Sequence, residues 1–191
     1  MKISIKLLPV IFLAFISMPI VSQAASETTA KLQTGMTLAR LMYLGEGPLI
    51  QTEEWARAGS KNDKSQDFLN CFRESDLSEI HKFYAKPLSD LLSISEMNQA
   101  ILFYQSPAGK KQLEISVTTL KNELRPQKDR DVTPAYSSDD LNEFKKFSES
   151  SVGRKLSNQS NVNALISVAT SKKFLDFYKT LEQKCRKSNG Q

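Results

Sequence analysis

Apolar residues recur along most of this chain at the spacing of helices. Between residues 27 and 43 they return at steps of three and four, and the same period runs through residues 77–91. Such spacing places the apolar side chains on one face of a helix. The pattern therefore predicts an all-α fold, a single compact bundle of about six to eight helices. Pro87 lies inside the second stripe, so the helix there is predicted to kink or to restart.

The run from Met97 to Tyr104 is apolar on nearly every side. Ser93 and Glu96 precede it at the spacing of a capping box, in which each side chain bonds the other residue's backbone. A helix that is apolar all round is expected to be buried. This segment is therefore predicted to be a central helix.

The central helix leads into a Ser-Pro-Ala-Gly segment that we interpret as a structural corner. Ser106 can cap the next helix, and Pro107 suits its first position. Gly109 has no side chain, which allows helices to approach closely at this position. Lys110 and Lys111 follow, and the corner itself assigns them no role, so both are candidate binding residues.

A second, weaker copy of this corner follows after a shift of 44 residues. The shift aligns Phe103 with Phe147, Ser106 with Ser150, and Gly109 with Gly153. Ser137 and Asp140 stand at capping-box spacing before the second copy, while Ser151 replaces the proline. The chain thus divides into related halves, helix-corner-helix repeats within residues 76–124 and 137–187, joined by a polar connector over 125–136. Two copies are too few for a solenoid.

The last helix is predicted to run from about residue 161 to 187 with two unlike faces. Phe174, Tyr178, Leu181 and Cys185 share an apolar sector. The opposite side carries six cations: Lys172, Lys173, Lys179, Lys184, Arg186 and Lys187. We favour a solvated face, and the alternative is a surface that binds acidic partners or a membrane.

The segment from Gly45 to Ser65 is a candidate recognition surface, because binding residues concentrate in loops. It combines turn residues, a short helix over residues 49–58 and a polar loop over 59–65. The helix carries Trp55, the only tryptophan of the chain, which makes Trp55 a candidate binding residue. The interpretation we favour is a mobile insertion with Trp55 packed into the core, since tryptophan is usually largely buried.

The first 24 residues resemble a secretion signal. Lys2 and Lys6 precede an apolar run over residues 7–16, and Ser22-Gln23-Ala24 supplies small residues for cleavage after Ala24. The apolar run is shorter than the ~20 residues of a membrane-spanning helix. The sequence thus predicts export to a bacterial periplasm and one helical domain over residues 25–191. The formal net charge of +5, or +3 without the two signal lysines, is too mild to favour a nucleic-acid binder.

Cys71 and Cys185 are the only cysteines, and both lie beyond the signal. Paired cysteines in an oxidising compartment are more often bridged than free. We therefore predict a structural disulfide between them rather than a reactive thiol.

Little in the sequence indicates a catalytic site. His81 is the only histidine and borders an apolar face, where local hydrogen bonding is a commoner role than catalysis. Glu53-Glu54 and Asp139-Asp140 are adjacent pairs whose members point about 100° apart on a helix, so neither pair forms an acid–base dyad by itself. No zinc-ligand spacing is visible, and no catalytic residue, metal or cofactor is predicted.

The segment from Asp76 to Leu120 resembles a bacterial exported family, domain of unknown function 2059. The resemblance lies in an acid-led helix at Glu96-Met97 and in the segment from Phe103 to Lys111, with its aromatic pair, Ser-Pro-x-Gly and basic pair. It implies an all-helical periplasmic fold and supplies no established activity. The first functional hypothesis is a periplasmic binding or protein-interaction module that acts through helical grooves or through the segment from Gly45 to Ser65, with another protein as the candidate partner. The second is an immunity-type inhibitor of a secreted toxin, and the third a hydrolase that uses carboxylates.

Overall fold

The computed structural model describes residues 20–59 and 63–188. These residues form ten α-helices and one short 3-10 turn, with no strand, which confirms the all-α prediction with more helices than the six to eight expected. The helices are α1 (Ile20–Leu41), α2 (Gly47–Gly59), α3 (Asp63–Glu74), α4 (Ser78–Leu91), α5 (Ile94–Gln105), α6 (Pro107–Leu124), α7 (Ser138–Glu149), α8 (Ser151–Ser157), α9 (Gln159–Ala169) and α10 (Lys172–Ser188).

The predicted last helix is in fact two helices. α9 ends at Ala169, with Thr170 as its C-cap. The Ser171 hydroxyl then accepts a hydrogen bond of 3.3 Å from the backbone N–H of Phe174 at the start of α10. Serine readily replaces a helical hydrogen bond with such a side-chain cap. The prediction of one helix over residues 161–187 was therefore wrong at this cap.

α4 continues through Pro87, so the alternative of a restart at that residue was wrong. The proline removes one backbone donor from the helix. The turns on either side are held by burial, since Tyr84 and Leu88 both belong to the main core. Packing of these turns against the core thus outweighs the tendency of proline to end a helix.

The segment from Gly45 to Ser65 is more helical than expected. The predicted helix over residues 49–58 is present as part of α2, and residues 63–65 already belong to α3. Residues 60–62 of the predicted polar loop lie outside the described residues.

The main core is formed by α1, α4, α5, α8, α9 and the start of α10. α5 contributes the fully buried Met97 and Ala100 and packs against α1, α6 and α8, as expected of a central helix. Its opposite side reaches solvent at Leu102, which is 68% exposed. A smaller core joins α2, α3 and α10 through Leu49, Phe72, Leu181 and Cys185.

The first corner is a sharp change of direction between α5 and α6. Ser106 ends α5 and caps α6, accepting a hydrogen bond of 3.2 Å from the backbone N–H of Gly109. A Cβ on Gly109 would lie 2.0 Å from the carbonyl oxygen of Phe103 and 2.6 Å from Cα of Tyr104. The glycine therefore admits the backbone of the helix that has just ended, rather than a third helix packed against α6.

The second corner, between α7 and α8, repeats this geometry without the proline. Ser150 has nearly the same backbone angles as Ser106 and accepts a hydrogen bond of 3.0 Å from Gly153. A Cβ on Gly153 would again lie 2.0 Å from a carbonyl oxygen, that of Phe147. Serine cap and glycine are thus sufficient for the turn, since Ser151 takes the place of Pro107.

The two corners pack against each other in a reciprocal way. α5 of the first contacts α8 of the second, and α6 contacts α7. Lys155 on α8 donates a hydrogen bond of 2.6 Å to Glu96 on α5. The residues equivalent to this pair are Lys111 and Asp140: hydrogen bonds from Ser137 lower the pKa of Asp140, and the charge of Lys111 lowers it further. The pairs indicate an approximate local twofold relation between the repeats.

The predicted secretion signal lies largely outside the described residues. Only residues 20–24 of it are described, as the first residues of α1. No described helix combines the length and the apolar character needed to cross a membrane.

Candidate binding groove

A groove of about 540 Å³ lies between α2, α3 and α10. Most of the side chains that line it are apolar or aromatic. They are Pro48, Gln51, Thr52, Trp55, Phe68, Phe72, Ala169, Phe174, Leu175, Tyr178, Lys179, Glu182 and Arg186.

Each long wall of the groove is one face of a helix. On α2 the lining residues run from Pro48 to Trp55 at steps of three and four, and on α10 they run from Leu175 to Arg186 at the same steps. Residues at these steps share one helix face. Two helices therefore present continuous faces to the same channel.

Aromatic rings form the floor. Phe72 is almost fully buried, with its ring stacked on that of Tyr178 at a centroid distance of 6.0 Å. Phe174 approaches Tyr178 to 5.0 Å, and Phe68 lies 5.7 Å from Phe72. These contacts make the floor a rigid apolar surface, because each ring is held by at least one other.

Trp55 stands at the rim and is 65% exposed, so the expectation that it packs into the core was wrong. The reason is the orientation of α2, which packs through Leu49 and turns the side chain of Glu54 inward. The next residue along a helix points about 100° away. Trp55 consequently extends over the groove towards solvent.

The hydroxyl groups of Tyr178 and Thr52, which line the groove, already have partners. The hydroxyl of Tyr178 donates a hydrogen bond of 2.6 Å to the carbonyl oxygen of Gly45, and burial raises the pKa of Tyr178 well above its usual value. The hydroxyl of Thr52 donates to the carbonyl oxygen of Pro48 at 2.8 Å. The floor therefore offers apolar contact rather than hydrogen bonds.

Cationic side chains lie on the α10 side of the groove. The guanidinium of Arg186 stands 5.5 Å from the ring centroid of Phe68 and donates to Glu182 at 2.7 Å. Lys179 is exposed two turns before Arg186. Arg186 thus neutralises the one carboxylate among the lining residues, which leaves a net positive charge on this wall.

One covalent constraint and one conformational constraint hold the groove in shape. Cys71 and Cys185 form a disulfide, with their Cα atoms 5.6 Å apart, that ties α3 to α10. Gly45 has a φ of +85°, and a Cβ there would lie 2.5 Å from the Ile80 side chain and 2.8 Å from that of Tyr84. The turn before α2 can therefore enter the core only with glycine at this position.

The other candidate binding residues lie outside the groove. Lys110 lines a separate cavity of about 370 Å³ between α2 and α6, with Glu46 and Glu53. Lys111 donates a hydrogen bond of 2.7 Å to Glu114 in addition to its proximity to Asp140. Trp55 alone of the three candidates lines the groove.

Among the polar residues weighed for catalysis, His81, Glu53 and Asp140 each have a partner. Nε2 of His81 lies 3.1 Å from Oε1 of Glu46, in the turn before α2, and both side chains are largely buried. Glu53 accepts a hydrogen bond of 2.9 Å from Arg73. Asp140 completes the capping box of α7 with Ser137.

Glu54 points away from Glu53, towards Arg125 at the end of α6. The Arg125 guanidinium donates to both carboxylate oxygens, one bond being 2.6 Å, and Arg57 adds a bond of 3.0 Å. These hydrogen bonds, led by those of Arg125, lower the pKa of the Glu54 carboxyl. The adjacent glutamates thus support α2 from two sides and do not meet.

Sequence reasoning missed most of the groove. Phe68, Phe72, Phe174 and Tyr178 have the spacing of ordinary core residues, and only their partners in other helices distinguish a groove floor from a sealed core. The one available signal was the run of lining positions in α2 that ends at Trp55.

Over the described residues, the fold and the groove together define an all-helical protein with two related corners and an apolar groove outside them. Residues 78–119 match the model of the family described as "Uncharacterized protein conserved in bacteria (DUF2059)", so this segment is similar to that family, as its sequence resemblance indicated. Comparisons with curated proteins and with solved structures found no match. The matched segment covers α4, α5 and most of α6, and no residue that lines the groove belongs to it.

Proposed function

We propose that this protein is an exported protein-interaction module that binds its partner through the groove beside Trp55. The observation that carries the proposal is the exposure of the single tryptophan above a floor of aromatic rings. Burying a large apolar side chain is favourable by about 1.5–3 kcal/mol, so leaving one in solvent forgoes that free energy. Tryptophan and tyrosine are also the residues most enriched where protein interfaces concentrate their binding energy.

The disulfide supports the exported location. Disulfides form and persist in oxidising compartments, and this one joins helices that are far apart in sequence. With the signal predicted over residues 1–24, it favours a periplasmic protein. An immunity-type inhibitor is the special case in which the partner is a secreted toxin.

Affinity capture from a periplasmic extract tests the proposal if it compares matched variants. Leu175→Glu places a charge at an exposed position inside the groove, and Leu102→Glu does the same at an exposed position on α5, outside it. We expect one protein to be retained by the wild type and by Leu102→Glu but lost with Leu175→Glu. Identical retention by both variants would contradict the groove as the binding site. Mass spectrometry of the retained protein would identify a toxin if the immunity alternative holds.

A further inference from the structure

We infer that the element bound in the groove is an amphipathic helix with acidic residues along its flanks. This inference rests on the proposed function and names the partner's chemistry. Its first support is shape. The α10 wall spans Leu175 to Arg186, about 16 Å along the helix axis, and the α2 wall spans Pro48 to Trp55, about 10 Å. A groove with one helix face on each side accommodates a third helix, whose apolar side chains at i, i+3, i+4 and i+7 enter the groove.

The second support is the chemistry of the floor. Compact ligands are usually oriented by a few polar groups that converge inside their pocket. Here the hydroxyls of Tyr178 and Thr52 are both bonded to backbone carbonyl oxygens of the protein itself. A helix satisfies its own backbone groups and needs only apolar contact along the floor, which is what the rings of Phe72 and Phe174 provide.

The third support is charge. Lys179 and Arg186 of α10 border the groove. Glu182, the one carboxylate in the lining, is bonded to Arg186. Complementary charge at the edge of an interface favours the right partner and speeds association. Acidic flanks on the bound helix would therefore face Lys179 and Arg186.

Trp55 provides a direct measurement, because it is the only tryptophan and stands at the rim. The oxidised protein is titrated with a designed peptide that has leucines at i, i+3, i+4 and i+7 and glutamates on the flanks. Two matched peptides contain lysines in place of the glutamates, or the acidic composition in scrambled order. We expect the acidic amphipathic peptide to shift the Trp55 emission and to bind about tenfold more tightly than either matched peptide.

The role of charge is tested with Lys179→Glu, and Lys128→Glu in the connector serves as the control. We expect Lys179→Glu to bind the acidic peptide more weakly and the lysine peptide more tightly than the wild type does. Lys128→Glu should change neither affinity.

Three outcomes would overturn the inference: equal binding of the acidic and lysine peptides, equal binding of the acidic and scrambled peptides, or no binding of any peptide. Binding of decanoate in place of the peptides would also overturn it and would indicate a lipid-like ligand. Groove-dependent capture without peptide binding would leave the proposed function standing and refute only the acidic helix.

Discussion

The rings of Phe103 and Phe147 lie parallel, with 3° between their planes and 3.8 Å between their centroids. These residues occupy equivalent positions in the two repeats, each three residues before the serine that caps the following helix. Each repeat therefore brings the aromatic residue at this position against its counterpart in the other repeat. Together with the Glu96–Lys155 pair, this contact makes the repeats partners in one unit rather than two successive copies of a motif.

A double-mutant cycle measures this contact. We expect Phe103→Leu and Phe147→Leu each to lower the free energy of unfolding, and the double variant to lose less than the sum. The coupling expected for an aromatic pair is about 0.5–1.5 kcal/mol. Urea denaturation of the four proteins checks it. Strict additivity would show that the rings are adjacent without stabilising one another.

The corner glycines are expected to be intolerant of any side chain. Gly109→Ala places a Cβ against the backbone of Phe103 and Tyr104, where no side-chain movement can relieve the contact. We expect a loss of about 1–3 kcal/mol in thermal or chemical denaturation, and a similar loss for Gly153→Ala. Gly47→Ala is the matched control, since a Cβ there meets no atom within 4 Å. An unchanged melting temperature for Gly109→Ala would show that the corner relaxes readily.

The pair formed by Glu54 and Arg125 is expected to stabilise the contact of α2 with α6. Their side chains are only 4% and 8% exposed, and removing one partner of a buried pair costs about 3–5 kcal/mol. We expect the loss of stability in Arg125→Met to lie near the lower end of that range, because Arg57 keeps its hydrogen bond to Glu54. The comparison is Arg73→Met, which breaks the more exposed pair with Glu53 and should cost less than about 1 kcal/mol. Similar losses of stability for the two variants would contradict the conclusion that the buried Glu54–Arg125 pair stabilises the fold more than the exposed Glu53–Arg73 pair does.

The stability of the protein is expected to fall in acid partly through Glu96. Hydrogen bonds from Lys155 and from the backbone of Ser93 lower the pKa of Glu96 to about 2 in the folded state. The unfolded carboxyl has a pKa of about 4.3, so its stabilising contribution is complete above that pH and is lost as the pH falls towards about 2. Urea midpoints measured across this window should decline less steeply for Glu96→Gln. Parallel curves for variant and wild type would exclude this contribution.

The disulfide is expected to stabilise the groove region strongly. Cys71 and Cys185 are 114 residues apart in sequence, and closing so long a loop contributes about 4–5 kcal/mol on a chain-entropy account. We expect the Cys71→Ala, Cys185→Ala double variant to unfold at markedly lower urea concentration. The native protein should contain no titratable thiol before reduction. Two titratable thiols in the native oxidised protein would contradict the bridge.

Local features of the fold could be predicted because their causes lie within a few residues. The capping box of Ser93 and Glu96, the cap at Ser106 and the absence of a side chain at Gly109 all act on backbone groups one turn away. Their energies do not depend on which other helices are present. The break between α9 and α10 at Ser171 is a local feature that was not predicted. The apolar stripe continues across it, so the spacing alone indicated one helix.

The groove could not be predicted, because its walls come from residues more than a hundred positions apart. The exposure of Trp55 depends on how α2 is oriented by Leu49, by Glu54 and by Arg125 on a different helix. Propensity and periodicity describe one helix at a time and contain no information about that orientation. The sequence by itself determined the helices, their corners and the cysteine pair, through short-range hydrogen bonding and composition. Only the tertiary structure decided which aromatic residues seal the core and which line an open channel, because packing between distant helices sets the burial of each side chain.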